Sequence, residues 1–203
     1  MATSINKLAP IFELNSYHKD TIESVKLDSF KEKYKILFFY PLDFSFICPT
    51  EMVELKDNAK EFDKLDCIIL AINTDSVYSH ETWANQKEED GGLGGISDID
   101  NFYLMSDYNK KVCEAYGTLI RGGEHDGVSN RAVFILDEDN NVKYVSVNDL
   151  NIGRNIDELI RQLESLKELK KSKENNVGIP CNWKPKEQVI KLTLEGKKEF
   201  FKK

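Results

Sequence analysis

The chain has 203 residues, 40% of them hydrophobic and 10% aromatic, enough to bury one ordinary globular core and leave an appendage. Its net charge of -7 is spread over mixed Lys, Arg, Asp and Glu, which argues against a phosphate backbone, and so against nucleic acid, as a partner. No apolar run reaches the roughly 20 residues of a membrane span, and the first ten residues lack the charged and apolar segments of a signal peptide, so the expectation is a cytoplasmic chain with no membrane partner.

The first strong signal is the run at 36–40, brief and aromatic, which reads as a buried strand. The runs at 67–72 and 132–136 read the same way. Between the first two, Met52, Leu55, Ala59 and Phe62 recur at three- and four-residue steps and predict one helix with an apolar face, whose first turn suits Pro49. The glycines at 91–95 are followed by no Gly-Lys-Ser or Gly-Lys-Thr and preceded by no strand, so the segment reads as a flexible loop rather than a phosphate cradle. Residues 142–147 alternate as an edge strand does. Ile156, Leu159, Ile160, Leu163 and Leu166 form a second helical stripe, with Asn155 as cap and Glu158 three positions on. This helix is expected to close the compact domain. Strands alternating with helices predict an α/β fold with a central sheet.

After Leu169 the composition changes, which divides the chain into a domain at 1–169 and an arm at 170–203. Gly178 and Pro180 break regular structure there. Val189, Ile190, Leu192, Leu194, Phe200 and Phe201 are too few for a separate core and too many for a free tail, so the arm should dock on the domain or on another subunit.

Cys48, Cys67, Cys113 and Cys181 lie far apart, without the CxxC pairs of a zinc site or the density of a secreted disulfide scaffold. In a reducing compartment they are packing residues or reactive thiols. Cys67, in an apolar strand, and Cys113, in a predicted helix, read as packing. Cys48 stands where a buried strand gives way to a helix N-terminus. Unpaired N–H groups and the positive end of the helix dipole favour its thiolate, predicting a pKa below the roughly 8.5 of a free thiol. A thiolate in attack needs its target atom held in line and charge relieved on the departing atom, hence short donors and a cation. Ser45 supplies a hydroxyl, and Pro41, with no N–H and a fixed φ, shields the sulfur. Taken alone, a Cys among aromatic residues is more often a small buried hydrophobe.

The surrounding pattern reverses that balance. Pro41-x-x-x-Ser45-x-x-Cys48 resembles the active-site signature of the peroxiredoxins, and further segments occur in the same order: Ser79-His80-Glu81-Thr82-Trp83, Gly91-Gly92-Leu93-Gly94, Asn130-Arg131, Val147-Asn148-Asp149-Leu150 and Gly153-Arg154. The likeness is to the typical two-cysteine, AhpC/TSA-like members, and spans most of the chain. It implies a thioredoxin-like fold, a central mixed sheet flanked by helices with a C-terminal extension. It also implies head-to-tail homodimers assembled into decamers. By the same resemblance Cys48 is the peroxidatic nucleophile, Ser45 the donor to the peroxide oxygen and Arg131 the cation, with Glu51 holding its guanidinium and Arg154 adding a second positive group. Cys181 in the arm becomes the resolving thiol. Its local order departs from the family's: Ile179-Pro180-Cys181-Asn182-Trp183 displaces the Cys by two residues, roughly 7 Å of extended chain, a gap that a loose arm absorbs. In the family a Gly-Gly-Leu-Gly loop and a C-terminal Tyr-Phe helix together cover the active site; here Phe200-Phe201 stand in place of Tyr-Phe, which removes one hydroxyl from that cover. The implied activity is reduction of hydroperoxides, with thioredoxin or a similar dithiol protein as reductant. No metal or organic cofactor is called for, because sulfur carries both electrons.

Two rivals are weaker on the residues. A thioredoxin-type dithiol needs a second Cys three positions after the first, where Glu51 stands, and a cysteine hydrolase needs a His base from among His18, His80 and His125. A ring-forming chaperone with secondary peroxidase activity is the third reading.

Overall fold

The computed structural model of the chain describes residues 4–96, 98–172 and 176–202. It divides into two compact units, residues 1–156 and 157–203.

The first unit opens with a hairpin, β1 (Glu13–His18) and β2 (Thr21–Lys26). Its two-residue turn places both Lys19 and Asp20 at positive φ, 48° and 57°, the hand that matches strand twist. β3 (Tyr34–Phe39) follows, then α1 (Cys48–Asp57), α2 (Ala59–Lys64) and β4 (Cys67–Asn73). Next come α3 (Val77–Asn85), β5 (Phe102–Ser106), α4 (Lys111–Tyr116), β6 (Arg131–Leu136) and β7 (Val142–Asn148). The strands form one mixed sheet in the order β2-β1-β5-β4-β3-β6-β7. β3 runs parallel to β4 and antiparallel to β6, and every residue of β3, β4 and β6 is buried, which is why these three read as unbroken apolar runs. β7 is the edge strand that its alternation predicts.

The single helix expected over Met52 to Phe62 is two. The Asn58 side-chain amide donates to the Glu54 carbonyl at 2.9 Å, the same oxygen that its own N–H reaches at 3.1 Å, and the chain restarts as α2 from the Asn58 carbonyl. Asn competes for helical carbonyls in this way, and it does so here without unburying Met52, Leu55, Ala59 or Phe62.

The glycines at 91–95 are not a loose loop either. Leu93, Gly94 and Gly95 donate to the carbonyls of Trp83, Gln86 and Ala84, so the segment caps the end of α3, and Trp83 Nε1 donates back to the Gly91 carbonyl at 2.9 Å. A methyl group at Gly92 would collide with the carbonyl and side chain of Gln86. Gly92→Ala should therefore cost about 1–3 kcal/mol of stability, read as a lowered urea midpoint. An unshifted midpoint would contradict that packing.

In the second unit, α5 (Ile156–Lys171, its first residue belonging to the first unit) is followed by β8 (Val177–Gly178), which pairs antiparallel with β9 (Ile190–Lys191). α6 (Leu194–Phe201) comes last, capped by Thr193 Oγ1, which accepts from Gly196 N at 2.9 Å. Leu192, Leu194 and Phe201 are exposed. Among the described residues no helix is long and apolar enough to cross a membrane.

Candidate active site

The chain leaves the sheet at Tyr40, whose N–H still pairs with the Ile72 carbonyl at 3.0 Å, and re-enters regular structure at Cys48, the first residue of α1. Cys48 therefore lies beyond the C-terminal end of a central strand, where parallel strands open a crevice. Pro49 follows in the first turn, and Glu51 faces inward because its carboxylate is claimed from that side.

Two arginines far away in sequence make the claim. Arg131, at the start of β6, donates through Nη1 to the Cys48 sulfur at 3.2 Å and to Glu51 Oε2 at 2.8 Å, while its Nε donates to the Leu150 carbonyl at 2.6 Å. Arg154, in the segment after β7, grips Glu51 as a fork: Nε and its backbone N–H donate to Oε1, each at 2.8 Å, and Nη2 to Oε2 at 2.7 Å. Its Nη1 donates to the carbonyls of Phe39 and Ala132, and its guanidinium lies 3.3 Å over the Phe38 ring. Every lone-pair direction of the Glu51 carboxylate is thus filled.

Cys48, Glu51, Arg131 and Arg154 are all buried. Burial works to raise the Glu51 carboxyl, but the hydrogen bonds and charge of Arg154, joined by the charge of Arg131, outweigh it and leave the group below its ordinary value. Glu51 is therefore an anion. Two guanidinium groups and one carboxylate leave the buried cluster with one positive charge in excess, and the Cys48 sulfur accepts a hydrogen bond from it. A thiolate there makes the cluster neutral.

The structure thus brings four of the seven sequence-expected residues into one bonded cluster. Pro41 is buried in the loop between β3 and α1. Ser45 lies in the same loop with its hydroxyl donating to the Leu42 carbonyl at 3.0 Å. Cys181 lies in the second unit, exposed, at the corner of a turn in which Trp183 N–H donates to the Pro180 carbonyl at 3.3 Å and Asn182 takes a φ of 57°. Trp183 anchors the turn, buried and donating through Nε1 to the Glu187 carbonyl at 3.1 Å. Sequence reasoning missed the carbonyls of Leu150, Phe39 and Ala132 that complete the arginine cradle. They leave no signal, since any residue carries a carbonyl.

The sequence model of the AhpC/TSA family matches residues 5–145, and that of the C-terminal domain of 1-Cys peroxiredoxin matches 169–203. A thioredoxin peroxidase of Trypanosoma brucei rhodesiense is 38% identical over 198 residues, covering 97% of this chain and 94% of that protein. The mitochondrial thioredoxin-dependent peroxide reductase of Homo sapiens is 37% identical over 202 residues, 100% of this chain and 75% of that protein. Among solved structures, the reduced 2-Cys peroxiredoxin of Plasmodium vivax superposes with a TM-score of 0.88 at 31% identity, covering 98% of each chain. The mixed sheet with its flanking helices is accordingly the thioredoxin-like fold.

Proposed function

The chain belongs to the AhpC/TSA family, the peroxiredoxins, which are thiol peroxidases, and from that premise we propose that Cys48 is its peroxidatic cysteine, served by Arg131, Glu51, Arg154, Ser45 and Pro41 and resolved by Cys181 of a second subunit. The observation that carries the reading is the Arg131 Nη1–H donated to the Cys48 sulfur inside a buried cluster of net positive charge. The thiolate attacks one oxygen of a hydroperoxide, the O–O bond breaks, and the departing oxygen leaves as hydroxide or alkoxide and takes up a proton. Arg131 offsets the charge that develops, and the Ser45 hydroxyl turns from Leu42 toward the bound oxygen. Pro41 keeps water off the sulfur. Cys48 is left as a sulfenic acid, two electrons poorer. The Cys181 thiol then condenses with it, forming the S–S bond and releasing water, and thioredoxin or a similar dithiol protein reduces the disulfide.

The arm at 170–203 is the element that delivers Cys181, in accord with the separate family match over 169–203. Head-to-tail homodimers assembled as decamers fit a chain that leaves Phe44, Phe46 and Tyr78 exposed, and sedimentation of the reduced protein tests that assembly. A cytoplasmic location is part of this reading, and cell fractionation tests it.

Non-reducing electrophoresis after one equivalent of hydrogen peroxide tests the cycle. The wild type should run as a disulfide-linked dimer and Cys181→Ser as a monomer. A dimer that persists in the variant removes Cys181 as resolver, and no dimer in the wild type points to a one-cysteine cycle.

A further inference from the structure

Asp43 lies in the loop just before Ser45 and Cys48, and its side chain is 1% exposed. Oδ1 accepts from the Tyr40 hydroxyl at 2.8 Å and from Asn73 Nδ2 at 2.9 Å. Oδ2 accepts from the Ser79 hydroxyl at 2.8 Å and lies 2.8 Å from His80 Nδ1. An ionised carboxylate only accepts, so the His80 nitrogen facing it carries the proton. Burial, followed by the charge of Asp43, holds the Tyr40 hydroxyl well above its ordinary value, so that it too remains a donor.

The other nitrogen of His80 is what calls for explanation. His80 is fully buried, and among the described residues its Nε2 meets no hydrogen-bond partner. An unmatched buried nitrogen costs free energy, and the hydrogen bond from the other ring nitrogen to a buried carboxylate is what offsets it. What the residue supplies is the Nδ1–H that completes the grip on Asp43. The backbone N–H of Asp43 is also held, by Asp75 Oδ2 at 2.8 Å. The next residue, Phe44, takes a φ of 52°, a region that non-glycine residues seldom enter, and so turns the chain toward Ser45 and the start of α1. A residue in that conformation persists only where its surroundings fix it, and Asp43 is the fixed point.

We propose that His80 acts through Asp43 as a positioning residue for peroxide attack, locking the loop from Tyr40 to Ile47 so that Ser45 and the Cys48 sulfur meet the O–O bond in line. The inference rests on the reading of Cys48 as the nucleophile. It distinguishes two properties of that thiol: its availability as a thiolate, set by Arg131, and its aim, set by the Asp43 clamp.

His80→Asn keeps an N–H near the place of Nδ1, whereas His80→Gln moves it toward Nε2. Both variants are compared with wild type and Cys48→Ser for the second-order rate of hydrogen peroxide consumption with dithiothreitol as reductant. The rate of iodoacetamide labelling is read on the Cys48 peptide, since alkylation needs the thiolate but not the pocket for two oxygens. His80→Gln should lose about 10- to 100-fold in the peroxide rate and keep the alkylation rate within about twofold, and His80→Asn should retain the peroxide rate within about threefold. Tyr40→Phe removes another donor to Asp43 without changing shape and should give the same split at smaller size, which keeps the test open if a His80 variant does not fold. The proposal is overturned if His80→Gln keeps the wild-type peroxide rate, if His80→Asn falls as far as His80→Gln, or if peroxide and alkylation rates fall together. Wild-type consumption that does not depend on Cys48 ends the underlying reading and this inference with it. Cys48-dependent consumption indifferent to His80→Gln ends the inference alone.

Discussion

Cys48→Ser should lower hydroperoxide consumption by more than about a thousandfold, to the background of the reductant alone. Serine has nearly the same shape, and its oxygen can still accept the Arg131 N–H, so the fold should persist, read as an unchanged far-ultraviolet circular dichroism spectrum. What disappears is the nucleophile. A serine hydroxyl stays protonated near neutral pH, and one guanidinium cannot generate the alkoxide. The remaining thiols are poorly placed to substitute. Cys113 is buried, and that burial, followed by the charge of Asp107, pushes its thiol far above the ordinary range, so it stays protonated and inert. Cys67 is buried in β4, and Cys181 is exposed on its turn. Peroxide turnover above about 1% of wild type in Cys48→Ser, lost only when Cys181→Ser is added, would move the nucleophile to the arm and sink the assignment.

What the sequence disclosed follows from how each element is buried. β3, β4 and β6 are covered on both faces, and continuous apolar runs advertise that. β1 and β2 are not: only Val25 of β2 is buried, and the hairpin turn uses Lys19-Asp20 where an Asn-Gly pair would have signalled it. β5, Phe102-Tyr103-Leu104-Met105-Ser106, neither alternates nor carries β-branched residues, and it went unread for that reason. The site divides in the same way. Cys48, Pro49 and Glu51 sit within one helical turn, and the chemistry of a helix N-terminus can be argued locally. Arg131 and Arg154 reach that turn through the pairing of β3 with β6 and the chain beyond β7, contacts that no local pattern encodes, so only family resemblance located them. His80 entered the sequence reading inside the Ser79–Trp83 segment of the family resemblance and as one of three possible bases for a rejected hydrolase, with no role of its own. Its partnership with Asp43 joins a helix to the loop before Cys48, a contact that exists only in three dimensions.

Glu51→Gln should be the most destabilising single change in the site, by about 3–5 kcal/mol, because it leaves two buried guanidinium groups without their anion. For a chain of this length that is a fall in thermal midpoint on the order of 10 °C. An amide could not replace the carboxylate: it offers one oxygen where Arg131 and Arg154 require two, and it turns an N–H toward a guanidinium. The effect also has a defined pH dependence. The folded-state pKa of Glu51 lies below its ordinary value, so the carboxylate's contribution is fully present above the unfolded-state value of about 4.3 and is lost as pH falls through the lower folded value. Midpoints of wild type and Glu51→Gln measured side by side should therefore differ by a constant amount from pH 7 to about pH 5 and begin to narrow as pH falls below about 4. Taking the difference cancels the other carboxylates, which titrate in both proteins. A gap that stayed constant into acid would mean that Glu51 is held by packing rather than charge, and equal midpoints at pH 7 would remove the ion cluster as the structural basis of the site. If the gap behaves as expected, the charge that stabilises the fold at Glu51 is the same charge that leaves one guanidinium proton of Arg131 for the sulfur of Cys48.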